Sequence, residues 1–121
     1  MGTTDSKKLA LTACKALSEK RGRDIVTLYV RERTSLCDYF VIASAGSAAQ
    51  IKAMGERVEE LVEKELGIEP TRAEGVRDGR WGVIDYGDVI VHIFNDDTRL
   101  FYHLERLWSD GENMEKYVDE D

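Results

Sequence analysis

A mixed α/β domain with a partly antiparallel sheet is the fold class this sequence predicts, and three observations carry it. Helical apolar stripes occur near the start, in the middle and towards the end of the chain. Short β-type segments fall between them, in the order α, β, β, α, β, β, β, α. Two of those segments are joined by a two-residue turn, a connection open only to antiparallel neighbours. The chain of 121 residues, 42% of them hydrophobic, is enough for one core and too short for two.

Leu9, Ala13, Ala16 and Leu17 set a first helix over 6–20, which Gly22 stops. Val26, Leu28 and Val30 alternate with Thr27, Tyr29 and Arg31, a strand with one buried face. Residues 39–43 are apolar on both parities, which suits a central strand covered on both sides, and Gly46 ends it. Ser47 and Gln50 form a capping box, and Ile51, Met54, Val58, Leu61, Val62 and Leu66 carry the stripe on to Gly67. Past the lone proline, Pro70, residues 71–76 read as a short strand before the turn signal Asp78-Gly79. Residues 81–86 and 89–94 read as a hairpin turning at Gly87 and Asp88. Asp97 or Thr98 caps a last helix, in which Leu100, Phe101, Leu104, Leu107 and Trp108 form one stripe. Nothing beyond Trp108 keeps a period. One domain over 1–109 is therefore expected, with the acidic 110–121 as a flexible tail.

Lys and Arg number 17 against 24 Asp and Glu, a net charge of −7, of which 110–121 carries −5. That balance disfavours general nucleic-acid binding, which draws its affinity from Lys and Arg on phosphates, and disfavours anionic membranes likewise. The acidic end should meet basic protein more readily than bare RNA. The longest apolar run, 39–43, is far short of the roughly 20 residues a membrane span needs. Cys14 and Cys37 have neither CxxC spacing nor a nearby His, so structural zinc is not expected. Two reduced thiols in a reducing compartment, the cytoplasm, are the expectation.

Catalysis has no visible engine. There is no Ser-His-Asp order, no phosphate-cradling Gly loop and no His-Glu helix motif. A Gly46-Ser47 turn opening a helix could bind phosphate, as in nucleotidyltransferases. Those enzymes also need paired carboxylates on the next strand for magnesium, whereas 81–86 offers Asp85 alone and 89–94 none. Ser47 thus reads as a cap, and no metal or cofactor is expected. His92 reads as a hydrogen-bonded core histidine rather than a ligand or base. Asp85 and Asp88 suit turn carboxylates, and Asp96 and Asp97 suit a helix cap.

The surface offers more. At 100° per residue, Tyr102 falls roughly 160° from the centre of the last apolar stripe, which exposes it beside Glu105 and Arg106. Trp81 shares strand parity with Val83 and Asp85, so its face carries a carboxylate and is expected to be partly wet. Spacing alone leaves Trp81 open as core or contact residue. Aromatic anchors beside polar groups make protein-binding hot spots. Trp81, Tyr102, Asp85, Glu105 and Arg106 are therefore the candidate partner-binding residues.

The stretches Asp38-Tyr-Phe-Val-Ile-Ala-Ser44, Glu74-Gly75, Arg80-Trp81, Asp85-Tyr-Gly-Asp-Val-Ile-Val-His92 and Phe101-Tyr-His-Leu-Glu-Arg-Leu-Trp108 resemble the ribosomal silencing factor, or Iojap-like, family. The resemblance spans about 9–108. It implies a nucleotidyltransferase-like topology without the catalytic carboxylates, no enzymatic activity, and a homodimer when free. It also implies binding to the large ribosomal subunit through large-subunit protein fourteen, which blocks small-subunit joining and lowers translation when nutrients run short. The family's contact surface uses a tryptophan matching Trp81 and a tyrosine matching Tyr102. Ala45 and Gly46 depart from the family's usual Gly followed by Thr or Asn, and the acidic tail lies outside the shared pattern. The rival reading is a nucleotide-dependent transferase using Gly46, Ser47 and the acids around Asp85 and Asp88.

Overall fold

Residues 5–76 and 79–118 are described by the computed structural model; Asp78 of the expected turn lies outside them. The elements are α1 (Ser6–Glu19), β1 (Arg23–Tyr29), β2 (Tyr39–Ala45), α2 (Ala48–Leu66), β3 (Arg72–Glu74), β4 (Trp81–Asp85), β5 (Val89–Asn95), α3 (Asp96–Tyr102), α4 (Leu104–Trp108) and β6 (Met114–Lys116). The six strands form one sheet in the order β3-β4-β5-β2-β1-β6. β2 and β5 run parallel at its centre, and the other ladders are antiparallel. No helix among the described residues is long and apolar enough to cross a membrane.

The capping box at Ser47 forms with a variation. Ser47 Oγ accepts the Gln50 N–H at 3.1 Å, while Gln50 Oε1 accepts the N–H of Gly46 at 2.6 Å. The Gln50 amide also donates to the carbonyls of Lys20 and Arg21 at 3.1 and 2.9 Å, tying the end of α1 to the start of α2. α2 ends at Gly67, whose left-handed φ of 68° suits a residue without Cβ.

Alternation on the central strands builds two cores. Val41, Ala43, Val91 and Ile93 face α1 and α2, where Leu17, Ile51, Met54, Val58 and Val62 complete a fully buried cluster. Phe40, Ile42 and Phe94 face the other side with Val26, Leu28 and Val30, and there Trp81, Ile90, Leu104 and Trp108 close the cluster only partly. Cys14 lies in the first core and Cys37 in the second, both as free thiols, and burial pushes each up to about 12.

Two expectations are corrected. The last helix is not one helix. Asn95, rather than Asp97 or Thr98, is its cap, with Oδ1 accepting the Thr98 N–H at 2.8 Å. Asp96 and Asp97 fill the first turn, where the helix dipole favours acids. His103 then adopts a left-handed φ of 43° and ends α3, so the 100° phase does not continue into α4. Leu104 and Trp108 reach the second core, while Leu100, Phe101 and Leu107 are 73%, 81% and 67% exposed.

The segment after Trp108 is also ordered where described. Met114–Lys116 pairs antiparallel with β1 as an edge strand, and Tyr117 packs on the first core. Asn113 Nδ2 donates to the carbonyls of Tyr29 and Trp108 at 2.8 and 2.9 Å, pinning the approach. Pairing at Val26, Thr27 and Leu28 satisfies backbone groups that β1 would otherwise present to water. Acidity alone therefore misjudges this segment over 110–118; residues 119–121 lie outside the described ones. Deleting 110–121 is expected to lower stability by on the order of 2 kcal/mol, a fall of roughly 6–12 °C in the melting midpoint, with cooperativity kept. Differential scanning calorimetry of the truncated chain checks this, and an unchanged midpoint would show that β6 contributes nothing.

Candidate partner-binding surface

Trp81 opens β4 and lies opposite Phe94 at the end of β5. Its half-buried indole packs on the Phe94 ring with centroids 5.0 Å apart, and the Tyr102 ring lies against it at 4.6 Å. Phe101 meets Tyr102 edge to face at 5.0 Å. Tyr102, expected to be exposed, is 45% exposed, with its ring covering part of Trp81. The indole N–H donates to His92 Nδ1 at 3.1 Å. His92 is the hydrogen-bonded core histidine expected: it is 7% exposed, set between Phe40 and Phe94, and its Nε2 is buried without a partner. Burial pushes its pKa down to about 4, against a smaller upward pull from Asp85.

One glycine makes this placement possible. Gly75 has φ of 74°, and a Cβ there would stand 2.1 Å from the Trp81 carbonyl oxygen. The segment after β3 can pass the start of β4 at that distance only without a side chain.

An ion pair spans the turn that follows Tyr102. Arg99 Nε and Nη2 both contact Glu105 Oε2, at 3.0 and 2.9 Å, and Nη1 donates to Ser44 Oγ at 2.8 Å. The Arg99 and Glu105 side chains are only 11% and 18% exposed, so α3, α4 and β2 are clamped around the turn at His103. Glu105 is thus taken up internally, which corrects its expected place among freely presented contact residues. Arg99 was missed because a broken helix hides a pair six residues apart.

The structure brings Trp81 and Tyr102 together and adds Phe101, which the stripe reading had buried. Leu100 and Leu107 join it in exposure. Arg106 is exposed on α4. Asp85 is elsewhere: it lies four residues along β4 from Trp81, about 13 Å at strand rise, and its Oδ1 accepts the Gly87 N–H at 2.8 Å. That is the turn role its position suggested. Ser47 is likewise committed to its cap. Among the described residues, no three His, Cys, Asp or Glu side chains gather as a metal site.

A sequence profile described as "Ribosomal silencing factor during starvation" matches residues 3–121. The chain belongs to the ribosomal silencing factor family. It is 36% identical over 110 residues to the ribosomal silencing factor RsfS of Halalkalibacterium halodurans, covering 91% of this chain and 93% of that one. It is 34% identical over 112 residues to the chloroplastic protein Iojap of Arabidopsis thaliana, covering 92% of this chain and 46% of that longer one. A crystal structure of a Chromobacterium violaceum protein superposes with a TM-score of 0.84 at 30% identity, over 96% of this chain and 95% of that one. The mixed α/β fold agrees with the class read from the sequence, while the sixth strand, β6, is an addition to the five read there.

Two outcomes follow from the geometry. Gly75→Ala should cost on the order of 3 kcal/mol or more, because backbone at both points must move. Equilibrium urea unfolding against the native chain measures this, and a loss below about 1 kcal/mol would mean that the approach relaxes easily. His92 makes stability acid-sensitive. Its folded pKa of about 4 lies below the ordinary 6.5, so the unfolded chain takes up the proton first. Its contribution is complete above pH 6.5 and is lost as pH falls towards 4, on the order of 2–3 kcal/mol. Urea unfolding at pH 7.5 and 4.5 should show His92→Phe losing that much less stability than the native chain.

Proposed function

We propose that this protein silences translation by docking on the large ribosomal subunit, at large-subunit protein fourteen, and occluding the surface that the small subunit needs. The observation that carries this reading is the tilted contact of Trp81 with Tyr102, continued outward by the exposed Phe101, beside a sheet face that the long helices leave uncovered. Clustered exposed aromatic and aliphatic side chains are rare on a self-contained monomer and are what a protein-binding hot spot presents. The acidic net charge favours a basic protein partner over bare RNA. In the free protein, a second copy would cover Leu100, Phe101 and Leu107, making a homodimer in the cytoplasm.

The action is steric and non-enzymatic. Ser47, the one residue of the phosphate-turn reading with a usable hydroxyl, is occupied by its own helix cap. A 13.7 kDa domain that acts by occupation must act stoichiometrically. Purified large subunits incubated with the protein before small subunits are added should form fewer joined ribosomes in a sucrose gradient, with half-effect near one copy per large subunit. Tyr102→Ala should weaken binding roughly thirtyfold, since truncating a central interface aromatic typically costs about 2 kcal/mol, while losing its contact with Trp81 lowers the melting midpoint by only a few degrees. Substoichiometric inactivation of many subunits would point to turnover instead, and native affinity of Tyr102→Ala would remove this surface from the interface.

A further inference from the structure

We propose that His92 is a positioning residue for the docking surface: its acceptor nitrogen fixes the indole of Trp81 in the one orientation that Tyr102 and a partner can meet. The proposal rests on the reading of Trp81 and Tyr102 as the docking surface and adds a residue that no partner can reach.

The geometry starts from strand register. Trp81 opposes Phe94 and Val83 opposes His92, so Trp81 and His92 are diagonal neighbours on one face of an antiparallel pair, within reach of aromatic side chains. The indole's own contacts are apolar and weakly directional. Phe94 lies against one side of it and Tyr102 against another, with interplanar angles of 30° and 44°. A tryptophan ring turns about a broad, roughly two-fold terminal torsion, and such tilted packing distinguishes poorly between its orientations. The hydrogen bond does distinguish them. Only one orientation points the indole N–H at His92 Nδ1, 3.1 Å away.

His92 can serve as this reference because it is itself held. Its ring is 7% exposed, meets Phe40 at 5.1 Å edge to face, and lies parallel to Phe94 at 6.0 Å. The indole is a donor only, so Nδ1 must carry the lone pair and Nε2 the proton. That Nε2–H is then buried without an acceptor. An apolar ring at position 92 would fill much the same space and remove this orphan, but it would leave the indole N–H without its acceptor. Packing therefore gives no reason for an imidazole here, whereas an acceptor aimed at Trp81 does.

The experiment uses the full chain and purified large subunits as the binding probe. His92→Phe keeps the ring and removes both the acceptor and the orphaned donor. His92→Asn restores an acceptor near the Nδ1 position at the cost of packing, and Trp81→Phe removes the donor. Three readouts are taken: the thermal midpoint, the Trp81 indole N–H resonance assigned by its loss in Trp81→Phe, and the affinity for large subunits. His92→Phe removes one orphaned donor and leaves the half-buried indole N–H to water, so it should melt within a few degrees of the native midpoint, move the indole resonance towards that of solvent-exposed indole, and bind about five- to tenfold more weakly. His92→Asn should melt lower yet recover much of the resonance position and affinity. Adding His92→Phe to Trp81→Phe should weaken binding no further, because the bond is already gone.

A residue that merely packs would give the opposite pattern, with midpoint and affinity falling together and no rescue by Asn; that result overturns the proposal. Native affinity of His92→Phe also overturns it, while a loss of binding in Trp81→Ala in the same assay would leave the docking reading standing. Native affinity in Trp81→Ala as well would remove both. If His92→Phe fails to fold, Trp81→Phe carries the test, and native affinity there overturns the positioning role.

Discussion

The parallel pairing of β2 with β5 is the constraint on which the rest of the molecule depends. Both strands lie at the centre of the sheet and send apolar side chains to both faces, so both faces must be covered. Among the described residues only two helices are long, and α1 and α2 take the same face. The opposite face must be closed by what remains: the far side of β1, the two short helices, and the large rings of Trp81 and Trp108. That shortage of covering material leaves aromatic side chains half-open where the sheet meets α3. The same packing problem produces the fold and the surface.

How the second face closes depends on one backbone residue. His103 takes a left-handed conformation that costs energy for a side chain with a Cβ, and it stands only because its neighbours hold it. Its N–H donates to the Arg99 carbonyl at 2.8 Å, while the Arg99 side chain grips Glu105 beyond the turn and Ser44 on β2. A partly buried ion pair adds little net stability in general, because desolvation offsets the attraction. Its value here is geometric. It turns α4 so that Trp108 reaches the Phe40 ring at 5.3 Å, and it leaves Tyr102 against Trp81.

The surface that results is suited to a large, specific partner more than to a small ligand. It is aromatic, and its central indole is held from beneath by a hydrogen bond to the buried His92. Burial keeps that histidine uncharged near neutral pH, which preserves its lone pair for the indole.

Much of the fold was legible from local pattern. The capping box at Ser47, the stripe from Ile51 to Leu66, the two-sided apolarity of 39–43 and the turn at Gly87 and Asp88 each depend on residues within a few positions of one another, and each appears in the structure. Trp81 and Tyr102 were also singled out, although strand parity left Trp81 open until the family resemblance matched it, and the phase that exposed Tyr102 assumed a helix that the structure breaks at His103. Their contact was not, because they lie on different elements. The break at His103 escaped because a left-handed residue leaves no mark on apolar periodicity, and the phase argument continued through it. β6 escaped because three residues on an acidic background have no period of their own; they form a strand only because β1 presents an open edge 86 to 90 positions earlier. Arg99 with Glu105 and His92 with Trp81 followed the same rule. Local spacing determined most of the elements and the side chains they carry, whereas β6, the break at His103 and the partners of the polar atoms were decided only when distant strands and a broken helix came together, since a hydrogen bond depends on distance in space and not along the chain.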